Sequence, residues 1–180
     1  PRVRGAPANA VVETPVALDP EALAIDPRPG GRGTLPIWTS AYLAWLAAGS
    51  PAFGHYLPLQ FRSGEALVGW ALLRSFEGSR GRDAALLDLR AREPREALYT
   101  WMVSEVAVRA AALGAGLLSA GTSCPEIEAA LRANRFRPLE SSPIQYWSRD
   151  GAPLDAPVVF GAHWGDELLL PYPTAGFDGG

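Results

Sequence analysis

Three arginines, Arg90, Arg92 and Arg95, lie close together where a short apolar run gives way to a long helical pattern. A guanidinium group keeps its charge and donates paired hydrogen bonds, which suits it to phosphate. The first turn of a helix adds free amide donors and the positive end of the helix dipole. These arginines are therefore candidates for binding a phosphate group. The alternative is that they are solvated charges at a helix end.

Asp88 interrupts the apolar run 84–91, which predicts a short strand. A carboxylate in such a run is either a buried acid or a residue that faces solvent. The two-residue period of a strand favours solvent. Because a positioned carboxylate can take up a proton, Asp88 is a candidate general base.

Cys124 is the one cysteine of the chain, so neither an intramolecular disulfide nor a multi-cysteine zinc site is available. The pattern places it at the first position of a helix, where the helix dipole would lower the thiol pKa. A cysteine-dependent hydrolase would also need a histidine in reach, and the sequence does not place His55 or His163 there. Otherwise Cys124 is a small apolar core residue. The two histidines match no metal-ligand spacing, so no metal is predicted.

The composition excludes several classes of function. All 16 basic residues are arginine, which rules out lysine Schiff-base chemistry and a P-loop. The net charge of −3 argues against a nucleic-acid partner, and no apolar run is long enough to cross a membrane. A single cysteine favours a reducing, cytoplasmic location. Because the chain begins at Pro1 and its only methionine is Met102, we expect a fragment of a longer protein.

Glycine and proline divide the chain into three parts. They are dense in residues 1–36, which predicts a linker with a short helix near residues 21–24. Residues 37–150 are the expected folded unit. Residues 151–180 contain four acidic residues and no arginine, and we expect this acidic tail to pack on the folded unit.

The folded unit shows a change from helical to strand periodicity and back. Ser63–Gly64 is a hairpin signal between two strands, and residues 94–113 have the spacing of an amphipathic helix. Ser123 and Glu126 fit a capping box for the second main helix. The predicted elements are a helix over 39–46, strands over 56–62, 65–75 and 84–91, a helix over 94–113, a strand over 117–120, a helix over 125–134, and strands over 136–140 and 144–147. This order predicts an α+β fold, with two main helices on a mixed, mostly antiparallel sheet.

The same order resembles the C-terminal part of the GNAT acetyltransferase superfamily. The hairpin and the strand 84–91 are similar to the central strands of that fold. The helix 94–113 is similar to the long helix beneath the acetyl-CoA pyrophosphate. The strand 117–120, the helix 125–134 and the corner Arg135–Phe136–Arg137–Pro138 continue the similarity.

A closer similarity is to uncharacterised bacterial GNAT-like domains. Those domains carry a Trp-rich helix before a strand that ends in Val-Gly-aromatic, and they end in a Trp followed by Gly-Asp. The matching residues are 41–46, Val68–Gly69–Trp70 and Trp164–Gly165–Asp166. The resemblance covers residues 37–170.

The resemblance implies an N-acyltransferase that moves an acetyl or other acyl group from acyl-CoA to a small-molecule amine. It implies catalytic roles for Asp88 and for Ser119, which lies at the strand-to-helix turn where this fold has its reacting groups. The residues it implies for binding the acetyl-CoA phosphates are Arg90, Ala91, Arg92 and Arg95.

The chain departs from the superfamily pattern at three places. The turn over residues 90–95 has no glycine, Leu131 stands where a catalytic tyrosine is frequent, and Arg135 stands where the corner has glycine. These departures favour a second hypothesis, in which the domain has lost catalysis and binds an upstream domain of the same chain. An open gap between the strands that end at Ala91 and Ala120 would favour catalysis, whereas a gap filled by Trp or Pro would favour the second hypothesis.

Overall fold

The computed structural model describes residues 5–26, 38–48, 54–78, 81–122 and 124–138. The elements in these residues are, in chain order, β1 (Ala10–Glu13), α1 (Pro20–Leu23), α2 (Ser40–Ala48), β2 (His55–Ser63), β3 (Ala66–Gly78), β4 (Gly81–Ala91), α3 (Glu96–Ala112), β5 (Leu117–Ala120) and α4 (Pro125–Ala133).

The strands form one sheet in the order β1-β2-β3-β4-β5. Neighbours are antiparallel except β4 and β5, which are parallel because α3 connects them as a crossover. The predicted α+β class with a mixed, mostly antiparallel sheet is therefore confirmed.

The hairpin between β2 and β3 turns one residue later than predicted. Ser63 pairs with Ala66, so Gly64 and Glu65 form the two-residue loop. Gly64 has a φ of 60°, a conformation that a residue without Cβ adopts at little cost. The hairpin signal was therefore correct, but its glycine takes the first loop position.

Both faces of the sheet are covered. The first core lies between the sheet and the helices α3 and α4, and the second core lies between the sheet and the helices α1 and α2. The largest wholly buried members of the first core are Leu59, Phe61, Leu73, Tyr99, Met102, Val103 and Val106. The second core contains Leu18, Ala22, Ile25, Trp38, Leu43, Leu46, Leu67, Trp70, Leu72, Ala85 and Leu87.

Helix α3 follows the predicted period closely. Tyr99, Met102, Val103, Val106 and Ala110 are buried on one face, and their spacing is that of a helix stripe against a sheet. Its bounds lie within the predicted range 94–113.

The structure differs from the linker prediction for residues 1–36. Residues 10–13 form the edge strand β1, which pairs with the end of β2. The short helix predicted near residues 21–24 is confirmed as α1. Arg62 of β2 forms ion pairs with Glu13 and Asp19. A strand of four residues between prolines carries too little pattern to be predicted from sequence. It forms because β2, which lies far along the chain, supplies its pairing partner.

The end of the predicted fold is tested only in part. Residues 136–138 are not in a strand, contrary to the prediction for 136–140. The rest of that strand, the strand 144–147, the tail 151–180, His163 and Ser123 lie outside the described residues. No helix of the described residues is long and apolar enough to cross a membrane.

Candidate functional site

Strand β4 contains a β-bulge beside the candidate residues. Leu72 pairs with Asp88 and Leu73 pairs with Leu86, so Leu87 is an extra residue. As a result Leu87 and Asp88 both face the second core, where Leu87 packs and Asp88 contacts Trp38. The alternation rule predicted that Asp88 faces solvent, and this is wrong because both faces of the sheet are covered by helices. The bulge decides only which of the two cores Asp88 faces.

Asp88 is a buried acid held by four hydrogen bonds. Its Oδ2 accepts from Trp38 Nε1 at 2.5 Å and from Arg90 Nε and Nη2 at 3.0 and 2.8 Å. Its Oδ1 accepts from the amide of Leu89 at 2.8 Å. Both carboxylate oxygens are engaged, so Asp88 fixes the end of β4 in this arrangement.

Arg90 is equally enclosed. Its side chain is 3% exposed, its guanidinium lies 5.0 Å from the centroid of the Trp70 ring, and Nη1 donates to the carbonyl of Ile25 at 3.4 Å. A guanidinium that is buried against a carboxylate and an aromatic ring is satisfied where it lies. Of the three predicted phosphate ligands, Arg90 therefore points into the second core.

Arg92 and Arg95 lie at the surface beside the start of α3. Arg92 is 49% exposed, forms an ion pair with Glu21, and donates from Nε to the carbonyl of Leu67 at 3.2 Å. Arg95 is 72% exposed and forms an ion pair with Glu93. Exposed pairs of this kind exchange readily with other anions because they contribute little to stability.

The N-terminus of α3 has free amide groups. Arg95 is its N-cap and makes no side-chain capping bond, and the first helical bond runs from the amide of Tyr99 to the carbonyl of Arg95. The amides of residues 96–98 thus have no partner within the helix. Arg95 is at this positive end of the helix dipole, whereas the Arg92 guanidinium contacts Glu21 of α1 and the carbonyl of Leu67.

Ser119 is not brought against Asp88 by the register. It pairs with Ala85, three positions before Asp88 on β4, which is about 10 Å along a strand at ~3.3 Å per residue. Its hydroxyl donates to the carbonyl of Ala84 at 3.3 Å. The two predicted catalytic residues share a face of the sheet but lie apart on it.

The continuous pairing of β4 with β5 ends just before the bulge. Leu86 pairs with Ala120, whereas β4 continues to Ala91. Ala91, which was predicted to bind cofactor, is wholly buried in the first core together with Tyr99 of α3.

The chain was compared with models of protein families, with curated proteins and with solved structures. None of the three comparisons found a match.

Cys124 is the N-cap of α4 and is buried in the first core. Its thiol donates to Glu126 Oε2 at 3.0 Å. Burial and, next, the bond to Glu126 raise the pKa of Cys124, and the same bond lowers the pKa of Glu126. The prediction that the dipole lowers the thiol pKa is therefore wrong, because removal from water and the neighbouring carboxylate outweigh the dipole.

The partner of Cys124 is a carboxylate, which does not activate a thiol as a hydrolase histidine would. Thr122 Oγ1 accepts the amide of Cys124 at 3.0 Å. The N-cap is Cys124 and it makes no side-chain capping bond, so the prediction of a capping box with Ser123 as the cap is wrong. Among the described residues, no group of three or more His, Cys, Asp or Glu side chains is arranged to hold a metal ion.

Tyr99 is the residue of this region that sequence reasoning missed. It is wholly buried, and its hydroxyl has no hydrogen-bond partner among the described residues. The one available signal was a phenol inside the apolar stripe of α3, since a buried tyrosine ordinarily finds a partner for its hydroxyl.

Proposed function

We propose that this chain is an acyl-CoA-dependent N-acyltransferase domain of the GNAT type. The observation that carries the proposal is the end of β4, where the continuous pairing with β5 has stopped, a bulge interrupts the strand, and the chain leads into the uncapped N-terminus of α3. The sequence resemblance implies that a catalytic domain separates these two strands here.

In this proposal the cofactor pyrophosphate binds at the start of α3. The free amides of residues 96–98 and the guanidinium groups of Arg92 and Arg95 supply the positive end of the site. Both arginines exchange an exposed carboxylate partner for phosphate. Arg90, paired with Asp88, supports the strand instead of binding phosphate.

In this proposal the acyl thioester then lies along the end of β4. The amine nitrogen attacks the thioester carbonyl carbon, the carbon–sulfur bond breaks, and the amine proton leaves for the sulfur or for water. Correct placement of a deprotonated amine supplies much of the rate in such a step. In this proposal Asp88 holds the end of β4 in position. Ser119 lies on the same face of the sheet as Asp88, and the amine binds on that face.

The alternative is a domain that keeps the fold and binds an upstream domain of the same chain. It is favoured by one observation: Glu93 and Pro94 stand in the turn before α3, and Glu93 already pairs with Arg95. A like charge and a missing amide donor disfavour phosphate there. This alternative expects a folded protein that binds no acyl-CoA.

Titration calorimetry with acetyl-CoA separates the two. We expect the wild-type chain to bind, and Arg95→Gln and Arg92→Gln each to weaken binding about tenfold, the equivalent of ~1.4 kcal/mol for a charge-assisted bond to phosphate. Arg82→Gln is the matched control, because Arg82 is also an exposed, paired arginine but lies at the other end of β4. Equal effects of all three substitutions, or no binding by the folded wild type, would reject the proposal.

A further inference from the structure

Helix α2 is apolar on more than one side. Its nine residues, Ser40–Ala48, include no charged residue, whereas α1, α3 and α4 each carry charged side chains. Leu43 and Leu46 are buried in the second core, and they account for one side of the helix. A helix that is apolar all round is ordinarily buried all round. The other side of α2 is therefore a candidate for contact with a further surface.

The exposed side of α2 carries a second apolar stripe. It consists of Ala41, Ala44, Trp45 and Ala48, which are all exposed. Their spacing of i, i+3, i+4 and i+7 places them on one face of the helix, opposite the two buried leucines. This is the spacing by which a helix packs on an apolar partner. We name these four residues the α2 stripe.

Trp45 is the largest residue of the α2 stripe, and its ring is supported from beneath. It stacks on Tyr42 with the ring centroids 5.6 Å apart, and Tyr42 stacks on Trp38 at 5.7 Å. Trp38 is in turn held by the hydrogen bond from its Nε1 to Asp88. Even so, 53% of Trp45 is exposed. A large aromatic residue that is rigid before binding is of the type that contributes most to protein interfaces.

The apolar surface continues beyond the helix. Val16, in the segment before α1, is 98% exposed. It borders a small cleft together with Ser40 and Ala44 of α2. None of the described residues that line this cleft is charged. The uncharged surface therefore extends from the α2 stripe to Val16.

This lack of charge decides what suits the α2 stripe as a partner. A charged surface would lose hydration there and gain no opposite charge in return. Helix α4, for example, presents the exposed ion pair of Glu128 and Arg132. A second α2 stripe is uncharged, and it supplies both a protruding tryptophan and the small alanines that a tryptophan can cover. The α2 stripe is therefore complementary to itself.

We propose that the α2 stripe is the contact between two copies of this chain, which pair with their α2 helices antiparallel about a two-fold axis. Trp45 of one copy then covers the partner's Ala44, and Ala41 lies against the partner's Ala48. Each contact occurs twice, as two-fold symmetry requires. The antiparallel arrangement also sets opposite ends of the two helix dipoles side by side. This inference is independent of the proposed function.

The size of the stripe sets the strength of the dimer. Trp45 offers roughly half of the 150–250 Å² that a tryptophan can bury, and the alanines of a short helix add little. Two copies together bury less than ~1,200 Å², which is the range of transient interfaces. We therefore expect a dissociation constant of about 10–1000 μM. The chain should be monomeric when dilute and paired when concentrated.

Sedimentation equilibrium, at concentrations on both sides of the expected dissociation constant, measures this association. Ala41→Glu should weaken the dimer by about tenfold or more, because it buries a carboxylate in an uncharged contact. The fold should persist, since Ala41 is exposed and an acid is favourable in the first turn of a helix. Trp45→Ala should weaken the dimer by about tenfold or more as well. Val108→Glu is the matched control, because Val108 is 59% exposed on α3, on the other side of the sheet.

A disulfide locates the contact without lowering the affinity. Ala44 lies next to the two-fold axis of the antiparallel pair, so its Cα and that of the partner's Ala44 come within the distance that a disulfide spans. Two copies of the Ala44→Cys variant should therefore form a covalent dimer under mild oxidation. Val108→Cys should form none above the background from Cys124, which is buried and common to both variants.

The outcomes separate this contact from the alternatives. A folded wild type that stays monomeric above the expected dissociation constant overturns the proposal. So does a dimer that Ala41→Glu leaves intact, or that Val108→Glu weakens equally, because it forms through another face. If the wild type stays monomeric but binds phosphatidylcholine vesicles, and Trp45→Ala abolishes that binding, the α2 stripe contacts lipid and the proposal is overturned.

Discussion

Replacement of Asp88 by asparagine tests whether the buried ion pair holds the end of β4 in place. The side chains of Asp88 and Arg90 are 8% and 3% exposed, so the substitution removes the Asp88 carboxylate charge from beside a buried guanidinium. Breaking a buried pair by removing one partner costs about 3–5 kcal/mol. We expect Asp88→Asn to lower the free energy of unfolding by that amount.

Most of this cost comes from keeping the Arg90 charge buried after the Asp88 carboxylate is removed, and less comes from the lost attraction between the two side chains. A double variant, Asp88→Leu with Arg90→Met, removes both charges and fills similar volume. We therefore expect it to regain most of the stability, since apolar replacements of buried pairs are often neutral. Asparagine can still accept from Trp38 Nε1, so the loss in the single variant measures mainly the effect on Arg90.

The assay is urea unfolding followed by circular dichroism, with Glu77→Gln as the control. Glu77 pairs with Arg82 on the same sheet, but the side chains of this pair are 71% and 47% exposed. Its loss should cost at most ~1 kcal/mol. If Asp88→Asn costs no more than Glu77→Gln, water reaches Arg90 and the account of this pair as a buried, closed unit is refuted.

Two further predictions concern packing and reactivity. Gly69→Ala should destabilise the chain by about 1–3 kcal/mol, because the added Cβ would lie 2.7 Å from Met102 Cε and 2.5 Å from a backbone oxygen of β4; an unchanged unfolding midpoint in urea would contradict the packing described for α3. Cys124 should react with iodoacetamide more slowly than a free thiol at pH 8, because burial and Glu126 raise its pKa and leave less thiolate. The rate should rise as the pH rises, and Glu126→Gln should increase the rate at pH 8; a thiol as reactive as free cysteine would disprove this.

Several helices and strands were predictable because the spacing of their apolar residues has the period of a helix or of a strand. The stripe of Met102, Val106 and Ala110 sets α3, and the apolar run 117–120 coincides with β5. Strand β1 was not readable, since four residues between prolines become a strand only when β2 supplies their hydrogen bonds. Periodicity in the sequence therefore predicts long or strongly patterned elements. Short strands such as β1 depend on pairing with a strand that is distant in sequence, and periodicity does not predict them.

The start of α3 was predictable from its apolar period, but the surroundings of Asp88 and Arg90 were not. These two residues are two positions apart on one strand and so share a face. The bulge at Leu87, which puts that face against the second core, left no mark on the sequence. Tyr99 was hidden because periodicity counts a phenol as one more apolar residue and says nothing about its hydroxyl.

The sheet joins near and distant parts of the chain, and this has a consequence for the order of folding. Strands β2, β3 and β4 pair through neighbouring hairpins, whereas Ala10 of β1 must find Ser63, more than fifty residues further along. Local pairings close small loops and form early, and distant ones follow at a higher entropic cost. We therefore expect the segment that carries β1 and Ile25, whose carbonyl accepts from Arg90, to join the meander late in folding, and the burial of Arg90 to be completed with it.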